Sequence, residues 1–144
     1  KKDKSAKDCK VNLIDEMIYF GDLSFSLRQF VRQILDYGVK QVVVTLGSKG
    51  VCVATSEQLY FHDTPKGIKV VNTLGAGDAF GSAFTRAWYT GANVETAISF
   101  GILNSSSVIA HADAKSGALT KDGLNKKLKG FHKATKTSLT KVKW

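Results

Sequence analysis

The stretch Ile68-Lys69-Val70-Val71-Asn72-Thr73-Leu74-Gly75-Ala76-Gly77-Asp78-Ala79-Phe80-Gly81 decides the fold. Its β-branched start predicts a strand over Ile68 to Val71, and Gly75 and Gly77 punctuate a tight turn. From Ala79 to Tyr89 the chain turns helical and small-rich, with Gly81, Ser82, Ala83 and Ala87. A strand, a glycine turn and a helix in that order form the unit of a layered α/β domain.

The same alternation extends outward on both sides. Upstream, Leu23 to Tyr37 sets Leu27, Phe30, Val31, Ile34 and Leu35 on one face and Arg28, Arg32 and Asp36 on the other, which predicts an amphipathic helix stopped by Gly38. Gln41 to Leu46 is apolar on both faces and predicts a central strand, broken by Gly47-Ser48-Lys49-Gly50. Val51 to Ala54 and Leu59 to His62 predict shorter strands before a loop through Pro65. Downstream, a helix from Val94 to about Ala110 carries Ala97, Gly101, Ser105, Ser106 and Ser107, small enough for close packing against its neighbour. Thr120 is a candidate N-cap for a last helix with Leu124, Leu128 and Phe131 on one face and lysines on the other, followed by a lysine-rich tail. A single α/β domain over residues 1–144 is expected, with a basic helix and tail over 121–144.

The formal charge of +9 on 144 residues suggests nucleic acid until it is divided along the chain. Residues 1–10 hold five lysines against two aspartates, and 121–144 hold eight lysines against one aspartate; the body between them is at −1. The excess therefore sits at the ends. A helix docked by its apolar face with solvated lysines explains the C-terminal pattern, and the absence of interleaved arginine and aromatics argues against nucleic-acid binding. No apolar stretch approaches the ~20 residues of a membrane span, and no apolar signal core follows the first lysines, so a soluble, cytoplasmic protein is expected. Cys9 and Cys52 are far apart and support neither a disulfide framework nor a thiolate zinc site, and His62, His111 and His132 have no metal-ligand spacing.

Gly75-Ala76-Gly77 precedes a helix, so its backbone N–H groups are available to an anion at the positive end of the helix dipole. A dinucleotide fingerprint fails because the next glycine, Gly81, is one residue too far and Asp78 would set a carboxylate against the pyrophosphate. A P-loop fails for want of a Gly-Lys-Ser/Thr ending. Two readings of the turn stand level on these residues alone. In one, the amides hold a phosphoryl group in transit while Asp78 takes a proton from an attacking hydroxyl. In the other, the glycines merely permit a turn and Asp78 caps a helix.

Asn72-Thr73-Leu74-Gly75-Ala76-Gly77-Asp78 resembles the D-T-x-G-A-G-D signature of the ribokinase-like (PfkB) family of carbohydrate and nucleoside kinases. Three further segments follow the family's order: Thr45-Leu46-Gly47-Ser48-Lys49-Gly50 is similar to its T-x-G-x-x-G loop, Asn12-Leu13-Ile14-Asp15 to its N-x-x-E segment with Asp for Glu, and Asn104 with Gly117-Ala118 to its adenine-side asparagine and closing loop. The resemblance implies a three-layer α/β/α ribokinase-like core, present in part, and phosphorylation of a sugar or nucleoside hydroxyl by ATP with Mg²⁺. By residue, it implies Asp78 as general base; Gly75, Ala76 and Gly77 as anion hole; Thr45, Gly47 and Gly50 along the ATP phosphates; Asn104 at the base; and Asn12 and Asp15 in the magnesium shell. Plain structural roles remain open for Thr45, Gly47, Gly50, Asn12 and Asp15.

Two departures stand out. Asn72 replaces the family's usual Asp, whose side chain helps shape a nearby monovalent-cation site, and a neutral amide there puts potassium dependence in doubt. The match covers only the second half of a family member, the part that binds ATP and carries the base. Completion by a missing N-terminal half, or by a second copy of the chain, stays open. So does the alternative of a nucleotide-binding half-domain without chemistry of its own.

Overall fold

The computed structural model describes Asp15, residues 17–135 and residues 139–144. These residues divide into two compact units. The first comprises the described residues up to Val44, Cys52–Phe61 and Thr140–Trp144, and the second Thr45–Val51 with the described residues of His62–Leu139.

In the first unit, β1 (Met17–Phe20) and β2 (Leu23–Ser26) pair antiparallel across Gly21-Asp22, with Phe20 opposite Leu23 and Met17 opposite Ser26. Gly21 takes the left-handed conformation, φ +58°, that such a two-residue turn demands. Helix α1 (Leu27–Asp36) begins directly afterwards. The helix expected from Leu23 thus starts four residues later, and the reason is local. The Ser26 hydroxyl accepts from Gln29 N–H at 3.2 Å and the Gln29 side chain accepts from Ser26 N–H at 2.8 Å, a reciprocal cap that fixes the helix start. Leu27 and Val31 are buried; Phe30 is more exposed and stacks on Phe25 at 5.5 Å.

Strands β3 (Gln41–Thr45), β4 (Val51–Thr55), β5 (Gln58–His62) and β6 (Leu139–Lys143) form a sheet in the order β3-β4-β5-β6. Two expectations need correction here. Among the described residues β3 stands at one end of this order, with Val43 37% exposed, and the buried strand is β4, whose Val51, Cys52, Val53 and Ala54 are at most 2% exposed. An apolar side chain at an edge reads in sequence like one in the middle. The lysine-rich tail, for its part, ends in a strand: Thr140 and Val142 are half-buried while Lys141 and Lys143 are exposed, the period-2 alternation of an edge with charged residues facing water. Trp144 secures it, donating its indole N–H to the Thr55 carbonyl at 2.7 Å beneath the guanidinium of Arg32, 5.3 Å from the ring centre.

The second unit is built on α2 (Ala76–Tyr89), α3 (Val94–Val108) and α4 (Lys121–Thr135). Phe80 and Phe84 stack at 5.8 Å and are buried with Ala83 and Ala87, each ring contributing about 1.5 to 3 kcal/mol of burial. Gly101 of α3 faces Phe80 so closely that an added Cβ would lie 2.6 Å from the ring, which is how the small residues of this pair bring the helices together. Asn93 caps α3 through Thr96 N–H at 2.8 Å. Thr120 caps α4 through Gly123 N–H at 3.2 Å, Leu124 is buried, Phe131 stacks on His62 at 5.7 Å, and Lys126, Lys127 and Lys129 are exposed.

The strand expected over Ile68 to Val71 does not form. The N–H groups of Val71 and Asn72 both donate to one carbonyl, that of Ile109 at the end of α3, at 2.8 and 3.2 Å. One acceptor cannot extend into a ladder, and Val70 and Val71 are 58% and 50% exposed. β-Branched composition favours a strand only where partners are present.

Candidate active site

The glycine turn ends in the first turn of α2. Gly75 is the N-cap at φ +76°, and an added Cβ would lie 2.6 Å from the Ala114 Cβ, so both backbone conformation and space require glycine. The helix starts at Ala76, three residues before the expected Ala79, so that Ala76, Gly77 and Asp78 are its first three residues. Their N–H groups have no intrahelical acceptor. Ala76 N–H donates to the Thr73 carbonyl at 3.2 Å; the N–H groups of Gly77 and Asp78 make no hydrogen bond among the described residues. Gly77 and Asp78 are both exposed. An anion arriving here meets two backbone donors at the positive end of a 14-residue helix, with the Asp78 carboxylate on the same turn.

The loop after β3 is the second element. A 3₁₀ turn over Gly47–Lys49 closes it, with Leu46 N–H donating to the Gly50 carbonyl at 2.8 Å and Gly50 N–H to the Gly47 carbonyl at 3.2 Å. Gly50 sits at φ +111° with its Cα against the His62 carbonyl, which an added Cβ would approach to 2.1 Å. Thr64 donates its hydroxyl to the Gly47 carbonyl at 3.1 Å.

Both elements open into a cavity of about 340 Å³ lined wholly by residues of the second unit. Five of the residues expected at the site, Thr45, Gly47, Gly50, Ala76 and Gly77, line it together. Its apolar wall is Val51, Val70, Phe80, Ile102 and Ile109. Ser105, Ser106, Asp63 and Thr64 also face it and were not anticipated. The serines show in sequence only as small helix-surface residues, and Asp63-Thr64 only as loop.

Gly75 and Asp78, on the same turn, are not among the lining residues, and the other expected residues lie elsewhere. Asn104 is 6% exposed and bonded at both ends of its amide, donating to the Ala79 carbonyl at 2.8 Å and accepting from Leu119 N–H at 2.8 Å. Asp15 is paired with Arg28, accepting from Nε at 2.6 Å and from Nη2 at 3.3 Å. Asn12 lies outside the described residues. The Asp15 carboxylate is engaged by a guanidinium, and the described residues hold no group of three or more His, Cys, Asp or Glu that could share a metal ion.

Known proteins carry the same pattern. Residues 22–121 match the model of the pfkB family carbohydrate kinases. The fructoselysine 6-kinase of Escherichia coli (strain K12) is 33% identical over 76 residues, 53% of this chain and 29% of its own. The ribokinase of Arabidopsis thaliana, solved in complex with ribose and ATP, superposes with a TM-score of 0.66 at 31% identity over 72% of this chain and 34% of its own. Phosphofructokinase-2 of Escherichia coli, solved in complex with potassium, gives 0.61 at 26% identity, over 73% of this chain and 33% of its own. The chain therefore spans about a third of the length of these relatives. With an α/β core shared with ribokinases and a family match across the loop after β3, the glycine turn and both central helices, this chain belongs to the pfkB family of carbohydrate kinases.

Proposed function

We propose that this chain is the nucleotide-binding, base-carrying part of an ATP-dependent kinase that phosphorylates a hydroxyl of a sugar or sugar-like substrate, the nucleotide entering as its magnesium complex. The observation that carries this reading is the cavity into which the Gly47–Gly50 loop and the Ala76–Gly77 helix start both open. Val51, Val70, Phe80, Ile102 and Ile109 offer the apolar wall a nucleobase needs, and two loops rich in glycine allow phosphates close approach to the backbone.

In the transfer, the substrate hydroxyl oxygen attacks the terminal phosphorus of ATP. The new O–P bond forms as the bond to the bridging oxygen breaks and ADP leaves, and the hydroxyl proton passes to a carboxylate oxygen of Asp78. Negative charge on the transferring group is met by the N–H groups of Gly77 and Asp78 and by the α2 dipole. A general base placed this way contributes ~10² to 10⁴ in rate.

Asp78→Asn, made in the enzyme completed by its N-terminal half, should lower kcat by about that factor, ~10² to 10⁴, while ATP affinity changes little. Near-normal turnover would sink the assignment of Asp78. The 144-residue chain alone should bind ATP without appreciable turnover, since Gly77 and Asp78 are exposed and water reaches the phosphoryl group. Strand β3, at one end of the described sheet order with Val43 partly exposed, supports completion by further chain. Sugar-dependent ATP consumption by the purified chain would overturn that expectation.

A further inference from the structure

Asn72, two residues before the tight turn begins, is bonded at both ends of its side chain. Its Oδ1 accepts from Leu74 N–H at 3.0 Å, and its Nδ2 donates to the Ala112 carbonyl at 2.8 Å, across 40 residues of sequence. The first bond needs an oxygen and the second needs a donor, so the pair of contacts fixes which end of the amide is which. Around it, the segment after α3 is held against the turn: Val71 and Asn72 N–H share the Ile109 carbonyl, and Ala114 fills the space a Gly75 side chain would need. That segment is itself braced by Asp113, which accepts from Lys115 N–H at 2.8 Å and Ser116 N–H at 2.7 Å. The Asn72 amide is the side-chain clamp between the turn and this braced loop.

A monovalent cation in this place would need oxygens converging on it, as the carbonyl of Ala112 and a carboxylate at position 72 would supply. The donor set here is different, because the group facing the Ala112 carbonyl is an N–H₂ at hydrogen-bond distance. A potassium ion does not fit between them.

We propose that the Asn72 amide by itself ties the Ala112 carbonyl to the glycine turn, so the turn holds its shape without a monovalent cation. Asn72→Asp would set a carboxylate oxygen against the Ala112 carbonyl oxygen, two acceptors that repel unless a cation lies between them. That substitution should convert an indifferent protein into a cation-dependent one.

The test reads stability alone and is therefore separable from phosphotransfer. The 144-residue chain, Asn72→Asp and Asn72→Ala are melted at pH 8 in KCl or choline chloride at equal ionic strength. The wild-type midpoint should be the same in both salts. Both variants should melt lower in choline by roughly 3 to 8 °C, the scale expected for losing one hydrogen bond in a domain of this size. Only Asn72→Asp should regain stability with KCl, saturably, while Asn72→Ala stays indifferent. Should Asn72→Asp fail to fold in choline, its refolding yield in KCl against choline gives the same reading, with recovery in KCl supporting the inference. A wild-type chain stabilised saturably by potassium would overturn it, as would an Asn72→Asp chain that responds to neither salt.

Discussion

Gly75→Ala tests how tightly the glycine turn is built. At φ +76° an L-residue carries a conformational cost of about 1 to 2 kcal/mol. The new methyl group would stand 2.6 Å from the Ala114 Cβ and 3.3 Å from its Cα, where ordinary contacts begin at 3.4 Å. Forcing a methylene into such a gap costs about 1 to 3 kcal/mol, so the substitution should destabilise the chain by about 2 to 5 kcal/mol in all, a large fraction of a typical domain's stability. The two terms separate in a double-mutant cycle. Ala114→Gly removes the steric partner but leaves the backbone strain, so Gly75→Ala with Ala114→Gly should recover about 1 to 3 kcal/mol relative to the sum of the single effects. Urea unfolding of the four proteins, followed by circular dichroism, measures every corner. Strict additivity would show that Ala114 does not sit over the turn. A Gly75→Ala protein as stable as wild type would refute the left-handed turn itself.

Two further outcomes follow from buried groups. Asn104→Ala leaves the Leu119 N–H without its acceptor and should cost about 1 to 3 kcal/mol while accelerating hydrogen exchange at Leu119; unchanged stability with weakened ATP binding would instead assign Asn104 to the nucleobase. Burial pushes the Cys52 thiol up to about 12 from the ordinary 9.0, the nearby Arg28 charge opposing it. A raised folded value means that the thiol's contribution to stability is complete below pH 9 and is lost as pH climbs from 9 towards 12. In a Cys9→Ser background, Cys52 should accordingly resist a thiol reagent at pH 8 until the chain unfolds, and stoichiometric labelling of the native protein would contradict its burial.

The parts of the site that were legible in the sequence are those where one residue type alone satisfies the geometry. Gly75 at φ +76° against Ala114, and Gly50 at φ +111° against the His62 carbonyl, tolerate no side chain, so their spacing carries structural meaning without any knowledge of the partner. Where meaning depends on a distant partner the sequence is silent. The Asn104 amide is closed by Ala79, 25 residues away, and Leu119, 15 away, and nothing near position 104 announces either. The Ile68–Val71 run looks like a strand because propensity is local, yet its amides find a single carbonyl. The late start of α1 is a different case. Leu23 and Leu27 share a helical spacing, but Ser26 with Gln29 three residues on is a capping signature that places the start correctly once it is weighed against periodicity.

Charge shows the same division between local and assembled information. Lys126, Lys127 and Lys129 of α4 are exposed while Leu124 is buried, and the charged side chain among the cavity-lining residues is the acidic Asp63. Among the described residues that line the cavity there is no lysine or arginine, and at ordinary ionic strength the fields of more distant charges are screened within about 8 Å. Oriented backbone N–H groups are donors of another kind. Those of Gly77 and Asp78, at the start of α2, are in place without hydrogen-bond partners among the described residues. Backbone donors of this kind are fixed by the fold and need no reorganisation as charge shifts from one oxygen to another, which is the property phosphoryl transfer asks of its surroundings.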